Sequence, residues 1–313
     1  PLFGLIILGF VTARITRQPL EALGWLSTFI IYLALPALFF RLLATTPVEQ
    51  LASWSFIFAN LGVTFGIFVL TFVLGLFDSD RNIAESTIQG LAGAYGNIGY
   101  MGPAIAILAI GETAAIPVAL IFCFENIMHF TVTPAMMAIS GKQDKGAVLL
   151  VISVVRQILF HPFIIATAAG VGAAFIGAPP PAPVERLIAY LAQAAAPCAL
   201  FAMGVTLALR PLRRVPGALL YIVPIKLIVH PAAMYFVLGY AGDFDPIWMS
   251  TAVLLAALPT ATNVFVIAQQ YGVWIERASA SVLLTTAFSI LTVSLLLYLV
   301  TTGRIPADFF PGR

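Results

Sequence analysis

Glu125 and His129 stand four residues apart, as do Lys226 and His230, and each pair lies in a run with no other Asp, Glu, Lys or Arg. At that spacing on a helix both members of a pair share one face. A carboxylate beside an imidazole can take up and release a proton or hold a cation. An ammonium beside an imidazole can attract an anion or stand in for a bound cation. Asn126 adds an amide next to the first pair. Glu125, Asn126, His129 and Lys226 are therefore the candidates for coupling to a proton or a sodium ion, with a plain structural Glu125–Lys226 pair as the alternative.

A second signal is backbone chemistry. Gly96-Asn97-Ile98-Gly99-Tyr100-Met101-Gly102-Pro103 and Ala257-Leu258-Pro259-Thr260-Ala261-Thr262-Asn263 both sit inside long apolar runs. Proline removes a helix hydrogen bond and clashes with the preceding turn, and closely spaced glycines ease departure from helical geometry. Both segments should break their helices. The half-helix N-termini so created would aim partial positive charge at whatever lies between them, which favours an anion. The expected substrate-binding residues are Asn97, Gly99, Tyr100, Pro103, Pro259, Thr260, Thr262 and Asn263. Asn97 and Asn263 would bond a carboxylate, and Pro103 and Pro259 would hold the breaks.

Other polar residues carry less. Arg156 snorkels to an interface and Arg41 anchors a headgroup. His161-Pro162 and His230-Pro231 mark kinks in which each imidazole bonds freed backbone. Thr285, Thr286 and Ser289 either face a polar cavity or satisfy their own helix. Cys123 and Cys198 lie in apolar runs and read as packing residues rather than a disulfide or metal site. The chain has no His-Glu-x-x-His, no Gly-x-Ser-x-Gly and no Gly-x-x-x-x-Gly-Lys motif, so neither an enzyme nor an ATP-driven pump is expected.

The elements that position these residues follow from composition. Of 313 residues 61% are apolar and 9% charged, and mean hydropathy is +1.04, outside the range of water-soluble domains. The runs 22–40, 51–77, 86–111, 157–184, 187–209, 246–275 and 278–303 contain no Asp, Glu, Lys or Arg. Each approaches or exceeds the roughly 20 residues that cross a bilayer as a helix. The runs do not alternate polar and apolar residues as a barrel would. The fold class is therefore an all-α membrane protein. Ten transmembrane helices are expected near 1–13, 22–44, 53–77, 84–110, 113–140, 146–176, 185–208, 216–240, 247–270 and 278–301, the fourth and ninth broken and crossing. Loop signals fall at Arg14 to Pro19, Thr45 to Gln50, Asp78 to Asp80, Gly141 to Gly146, Pro179 to Pro181, Arg210 to Pro216 and Gly242 to Pro246.

Arg14, Arg17, Arg81, Lys142, Lys145, Arg210, Arg213, Arg214 and Arg277 follow odd-numbered spans, against Arg41, Arg186, Arg304 and Arg313 on the other side. The positive-inside rule then places both termini outside a plasma or bacterial inner membrane. A net charge of +2 spread over loops offers no surface for nucleic acid. Membrane lipid is the expected surrounding partner.

A shift of 161 residues brings Leu26, Ala34, Pro36 and Phe40 onto Leu187, Ala195, Pro197 and Phe201, and Gly9 onto Gly170. Five helices per repeat is an odd number, so the halves 1–141 and 146–302 should enter from opposite sides as an inverted repeat. The same shift sets Pro1 against Pro162 in mid-span, so the first helix is expected to lack about ten to sixteen residues of a full span.

Asn97 to Pro103, Leu258 to Asn263, Tyr32-Leu33-Ala34-Leu35-Pro36, and Lys226-Leu227 with Pro231 together resemble the auxin efflux carrier family, which includes plant PIN-FORMED carriers and bacterial malonate or malate permeases. The resemblance spans essentially the whole chain. It implies two inverted repeats of five helices, the architecture of bile-acid symporters and sodium/proton antiporters. It further implies a scaffold (1–44, 146–208), often a homodimer contact, and a transport domain (53–140, 216–302) that moves elevator fashion. Two departures stand out. Gly102 and Pro103 are adjacent where the family commonly inserts a residue, and the six residues Gly141 to Gly146 replace the long central loop of the plant carriers.

The expected function is a secondary active or facilitative carrier of small organic anions, mono- or dicarboxylates or auxin-like acids, needing no cofactor beyond a coupling proton or sodium ion. A cation/proton antiporter using Glu125 and Asn126 is one rival, and a membrane ligand sensor is another. Two paired carboxylates would favour the antiporter, and fused signalling domains the sensor.

Overall fold

The structure, a computed structural model, describes residues 2–44, 53–142, 152, 155–156, 159–177, 180–209, 216–302, 304 and 306. The loop expected at Thr45 to Gln50, residues 143–146 with Lys145, the opening of the sixth expected span, Pro179, Arg210, Arg213, Arg214 and Arg313 lie outside the described residues. Among the described residues the chain is all-α. Six helices are long and apolar enough to cross a membrane: α2 (Glu21–Ala44), α3 (Trp54–Asp78), α6 (Glu112–Ile139), α8 (Ala182–Leu209), α9 (Leu219–Ala241) and α12 (Ile275–Val300). Shorter helices lie between them: α1 (Leu2–Thr16), α4 (Ile83–Ala94), α5 (Met101–Ala109), α7 (Pro162–Ile176), α10 (Pro246–Ala256) and α11 (Thr262–Tyr271).

Local chemistry sets the ends. The Asn82 side chain accepts the Glu85 N–H at 3.1 Å to cap α4, and Asp245 accepts the Ile247 N–H at 2.7 Å to cap α10, whose first residue is Pro246. Gly177 and Gly272 end α7 and α11 in the left-handed conformation, at φ 65° and 66°. His161 is extended and α7 begins at Pro162, so the helical geometry of residues 155, 156 and 159 is interrupted at this His-Pro before α7 starts. Proline disfavours helical geometry in the residue before it. The 161-residue shift carries Met101, first residue of α5, onto Thr262, first residue of α11, and Glu21 of α2 onto Ala182 of α8.

The chain divides into two compact units. The first comprises 1–53, 99–123 and 159–211. Here α1 lies against α8, α2 against α7 and α8, and α5 against α8. Small residues let backbones approach. A Cβ on Gly9 would stand 2.1 Å from the Phe201 carbonyl oxygen, one on Gly204 1.9 Å from that of Ile6, and one on Gly170 2.9 Å from that of Phe40. The Gly9–Phe201 and Gly170–Phe40 contacts exchange places under the 161-residue shift. Phe39, Phe122 and Phe163 form an aromatic cluster, with Phe39 on Phe163 at 5.3 Å and Phe122 on Phe163 at 4.4 Å.

The second unit comprises 54–98, 124–158 and 212–313. It packs α3 on α4 and α9, α9 on α10, and α11 on α12. Every buried polar or charged side chain among the described residues belongs to this unit, from Asn60 and Thr64 to Thr286 and Ser289. Outward-facing Trp25, Phe58, Leu70 and Leu291 are exposed, as lipid contact requires.

Candidate functional site

The second unit holds the site, and its frame is a pair of interrupted helices. α4 stops at Ala94 and Tyr95 continues in extended geometry, while α10 stops at Ala256 before Pro259. The two loose segments meet as an antiparallel bridge between Gly96 and Thr260. The Asn97 N–H donates to the Pro259 carbonyl at 2.8 Å, and the Ala261 N–H to the Tyr95 carbonyl at 2.9 Å. The Thr260 N–H donates to Thr285 Oγ1 at 3.0 Å, and the Thr260 hydroxyl to the Ala92 carbonyl at 2.7 Å. Backbone groups freed by each interruption thus pair across the crossing, which an apolar surrounding demands. The backbone at 96 is closely approached: a Cβ there would lie 3.2 Å from the Leu255 carbonyl oxygen and 3.3 Å from Lys226 Nζ.

Lys226 is fully buried in a widened, π-type turn of α9, Ile225–Val229, just before Pro231. Such turns are frequent at functional positions. Its Nζ donates to the carbonyl of Ala256, the last residue of α10, at 2.6 Å and contacts His230 Nδ1 at 3.1 Å. A cation at a helix C-terminus meets the negative end of the helix dipole. Glu125 Oε1 accepts from Asn60 Nδ2 at 2.9 Å and from Thr64 Oγ1 at 2.8 Å, and Thr64 Oγ1 lies 3.4 Å from His230 Nε2. Glu125 and Lys226 therefore make no direct ion pair; Thr64 and His230 stand between them. His230 bonds these two side chains, not freed backbone.

A second cluster joins three elements. Asn263 Nδ2 donates to Tyr95 Oη at 2.9 Å, and the Tyr95 hydroxyl donates to Asn126 Oδ1 at 2.5 Å. His129 stacks on the Tyr95 ring with centroids 4.2 Å apart. Asn263 itself is exposed and Thr262 half-buried in the first turn of α11, ahead of the Val264 N–H, which donates to the Ala261 carbonyl at 3.1 Å.

Asn97, Pro259, Thr260, Thr262, Asn263, Glu125, Asn126, His129 and Lys226 all fall within this second unit. Gly99, Tyr100 and Pro103 fall within the first. There Pro103 is buried in the opening turn of α5, Tyr100 is half-buried just before it, and a Cβ on Gly99 would meet Phe122 at 3.3 Å. Sequence reasoning passed over Asn60, Thr64 and Tyr95. Asn60 and Thr64, four apart in the largely apolar α3, carried a usable signal; the partner that Tyr95 would find did not.

The model of the family described as "Membrane transport protein" matches residues 1–297. The chain belongs to this family, that of the auxin efflux carriers. It is 62% identical over 311 residues to a protein of Rhizobium meliloti (strain 1021) named "Putative malonate transporter", covering 99% of this chain and 97% of that one. It is 23% identical over 306 residues to the "Uncharacterized transporter YfdV" of Escherichia coli (strain K12), with 95% of each chain covered. Family membership and the six long apolar helices make this an integral membrane transporter.

Proposed function

We propose that this family member carries small organic anions across the cell membrane, with malonate and related dicarboxylates as the first substrates to test. The single observation that carries the reading is the confinement of buried polar side chains to one unit, gathered around paired helix interruptions. Buried polar groups in a membrane protein are expensive and seldom kept without a role, and paired interruptions are where transporters bind their cargo. The name of the 62% identical Rhizobium protein supports the choice of malonate.

In this reading a carboxylate binds the free amides at the start of α11, with the amides of Asn263 and Asn97 and the Thr262 hydroxyl adding donors. Pro259 and Thr260 hold the break, and Gly99, Tyr100 and Pro103 form the matching start of α5. Glu125, Asn126, His129 and Lys226 couple the movement to an ion. Ten spans form two inverted five-helix repeats, which the reciprocal Gly9–Phe201 and Gly170–Phe40 contacts support. The scaffold is 1–44 with 146–208 and pairs with a second copy. The mobile body is 53–140 with 216–302, both termini lie outside, and transport is of the elevator type. Because α5 packs on α8, elevator movement requires α5 to slide along that helix.

The test is uptake of radiolabelled malonate into proteoliposomes containing the purified protein. Saturable uptake, competed by other dicarboxylates and absent from protein-free vesicles, is expected. Uptake no greater than in empty vesicles, together with no thermal stabilisation by millimolar malonate, would overturn the reading; a ligand at 100 times its Kd stabilises by about 2.7 kcal/mol.

A further inference from the structure

We propose that Lys226, His230, Thr64 and Glu125 form a proton wire, so that the ion coupled to anion movement is a proton and Thr64 and His230 are its conducting links. The proposal rests on the carrier reading above for the word coupled, but the wire is argued from geometry alone.

All four side chains are buried, and they connect three helices: α9 supplies Lys226 and His230, α3 supplies Thr64, and α6 supplies Glu125. The contacts are 3.1 Å from Lys226 Nζ to His230 Nδ1, 3.4 Å from His230 Nε2 to Thr64 Oγ1, and 2.8 Å from Thr64 Oγ1 to Glu125 Oε1. Donor and acceptor chemistry assigns them one direction. A lysine ammonium only donates, so His230 Nδ1 accepts and Nε2 carries the ring proton. Nε2–H then points at Thr64 Oγ1, which leaves the threonine hydroxyl proton for the carboxylate. Every link therefore points from ammonium to carboxylate. Asn60 Nδ2 holds the same Glu125 oxygen at 2.9 Å, and the Ala256 carbonyl holds Lys226 Nζ at 2.6 Å, so both ends are fixed.

A concerted shift moves one proton at each link. Lys226 gives a proton to His230 Nδ1, Nε2 gives its proton to the Thr64 oxygen, and the threonine hydroxyl proton passes to Glu125. An ammonium and a carboxylate become an amine and a carboxylic acid, the histidine changes tautomer and threonine is regenerated. No other reactant is required. The charged and neutral forms of the ends differ by a full ion pair within a buried site, so transfer alters the electrostatics of the crossing at which Lys226 sits. The titratable groups around the wire are His129 on α6, one turn beyond Glu125, and Tyr95 between α4 and α5, whose hydroxyl is engaged by Asn126 and Asn263. α3 faces it with Asn60 and Thr64, and α10 with the Ala256 carbonyl.

Thr64→Val keeps the shape of the side chain and removes the proton-carrying oxygen, whereas Thr64→Ser keeps the oxygen. Proteoliposomes with wild type, Thr64→Val, Thr64→Ser and His230→Phe are to be compared in two assays. One is accumulation of radiolabelled malonate driven by an imposed pH gradient, and the other is malonate/malonate exchange without a gradient. Gradient-driven accumulation is expected to fall at least tenfold in Thr64→Val and His230→Phe, to stay within twofold of wild type in Thr64→Ser, and exchange to stay within threefold in all. Undiminished gradient-driven accumulation in Thr64→Val overturns the wire, and so does equal loss of exchange in Thr64→Val and Thr64→Ser. If wild type exchanges no malonate, the carrier reading fails and the wire is judged by infrared difference spectra against pH. There the wire predicts that a protonated-carboxyl band removed by Glu125→Gln changes in His230→Phe; a band indifferent to His230 overturns it.

Discussion

The two compact units solve the same problem, holding helices together in lipid, with different buried side chains. In the first, glycines bring helices into backbone contact, as at Gly9 on Phe201 and Gly204 on Ile6, and buried side chains are apolar. In the second, buried polar and charged side chains are shared between helices, as where Thr64 contacts both Glu125 and His230. Close apolar packing is rigid and tolerates no added atom. A buried polar network can exist in more than one protonation or hydrogen-bonding arrangement, and each arrangement has consequences for its neighbours. The difference teaches that damage to the two units should be separable: in the first it should lower stability and leave transport per folded molecule intact, whereas in the second it should lower transport per folded molecule, whatever it does to stability.

The largest effect is expected from Lys226→Ala. It strips the Ala256 carbonyl and His230 of a donor and leaves the Glu125 charge without its nearby cation. Breaking a buried charge set in this way costs about 3–5 kcal/mol. Malonate exchange should be lost and the unfolding temperature lowered, both measured on purified protein. Wild-type exchange in this variant would break the comparison. Next comes Gly204→Ala, whose Cβ would stand 1.9 Å from the Ile6 carbonyl oxygen. Overpacking of this kind costs about 1–3 kcal/mol. Thermal unfolding should register the cost, while exchange per folded molecule stays within twofold.

Tyr95→Phe should cost about 0.5–1.5 kcal/mol, the net worth of a typical hydrogen bond. Because Tyr95 joins Asn126 to Asn263, the apparent affinity for malonate should weaken severalfold more than stability changes. At the small end, Arg277→Gln removes the Arg277–Glu85 pair at 3.6 Å, whose side chains are half and one-third exposed. Such pairs are worth about 0–1 kcal/mol, so neither unfolding nor exchange should move measurably.

Much of this arrangement is readable in the sequence because its causes are local. Charge-free runs dictate the long apolar helices, and Pro259 and the closely spaced glycines at 96, 99 and 102 are by themselves reason for a helix to stop. The i, i+4 pairs Glu125–His129 and Lys226–His230 announce buried chemistry. What they bond is not local. Glu125 turns to Asn60 and Thr64 on a helix about sixty residues earlier, and Lys226 turns to a backbone carbonyl thirty residues later. Nothing in a threonine inside an apolar run distinguishes one that satisfies its own helix from one that binds a distant carboxylate. The π-type turn carrying Lys226 has no signature beyond the flanking Pro224 and Pro231, and the assignment of 99–123 to the first unit depends on packing that no periodicity encodes.

The central claim is that the anion is held at the start of α11. Asn263 is exposed there, so its replacement leaves no hole in the core, and its side chain bonds Tyr95 at the crossing. The most direct measurement is malonate exchange in proteoliposomes by Asn263→Ala at matched folded protein. At least a tenfold loss of exchange at subsaturating malonate, with the unfolding temperature within a few degrees of wild type, is predicted. Exchange equal to wild type at every malonate concentration would contradict it.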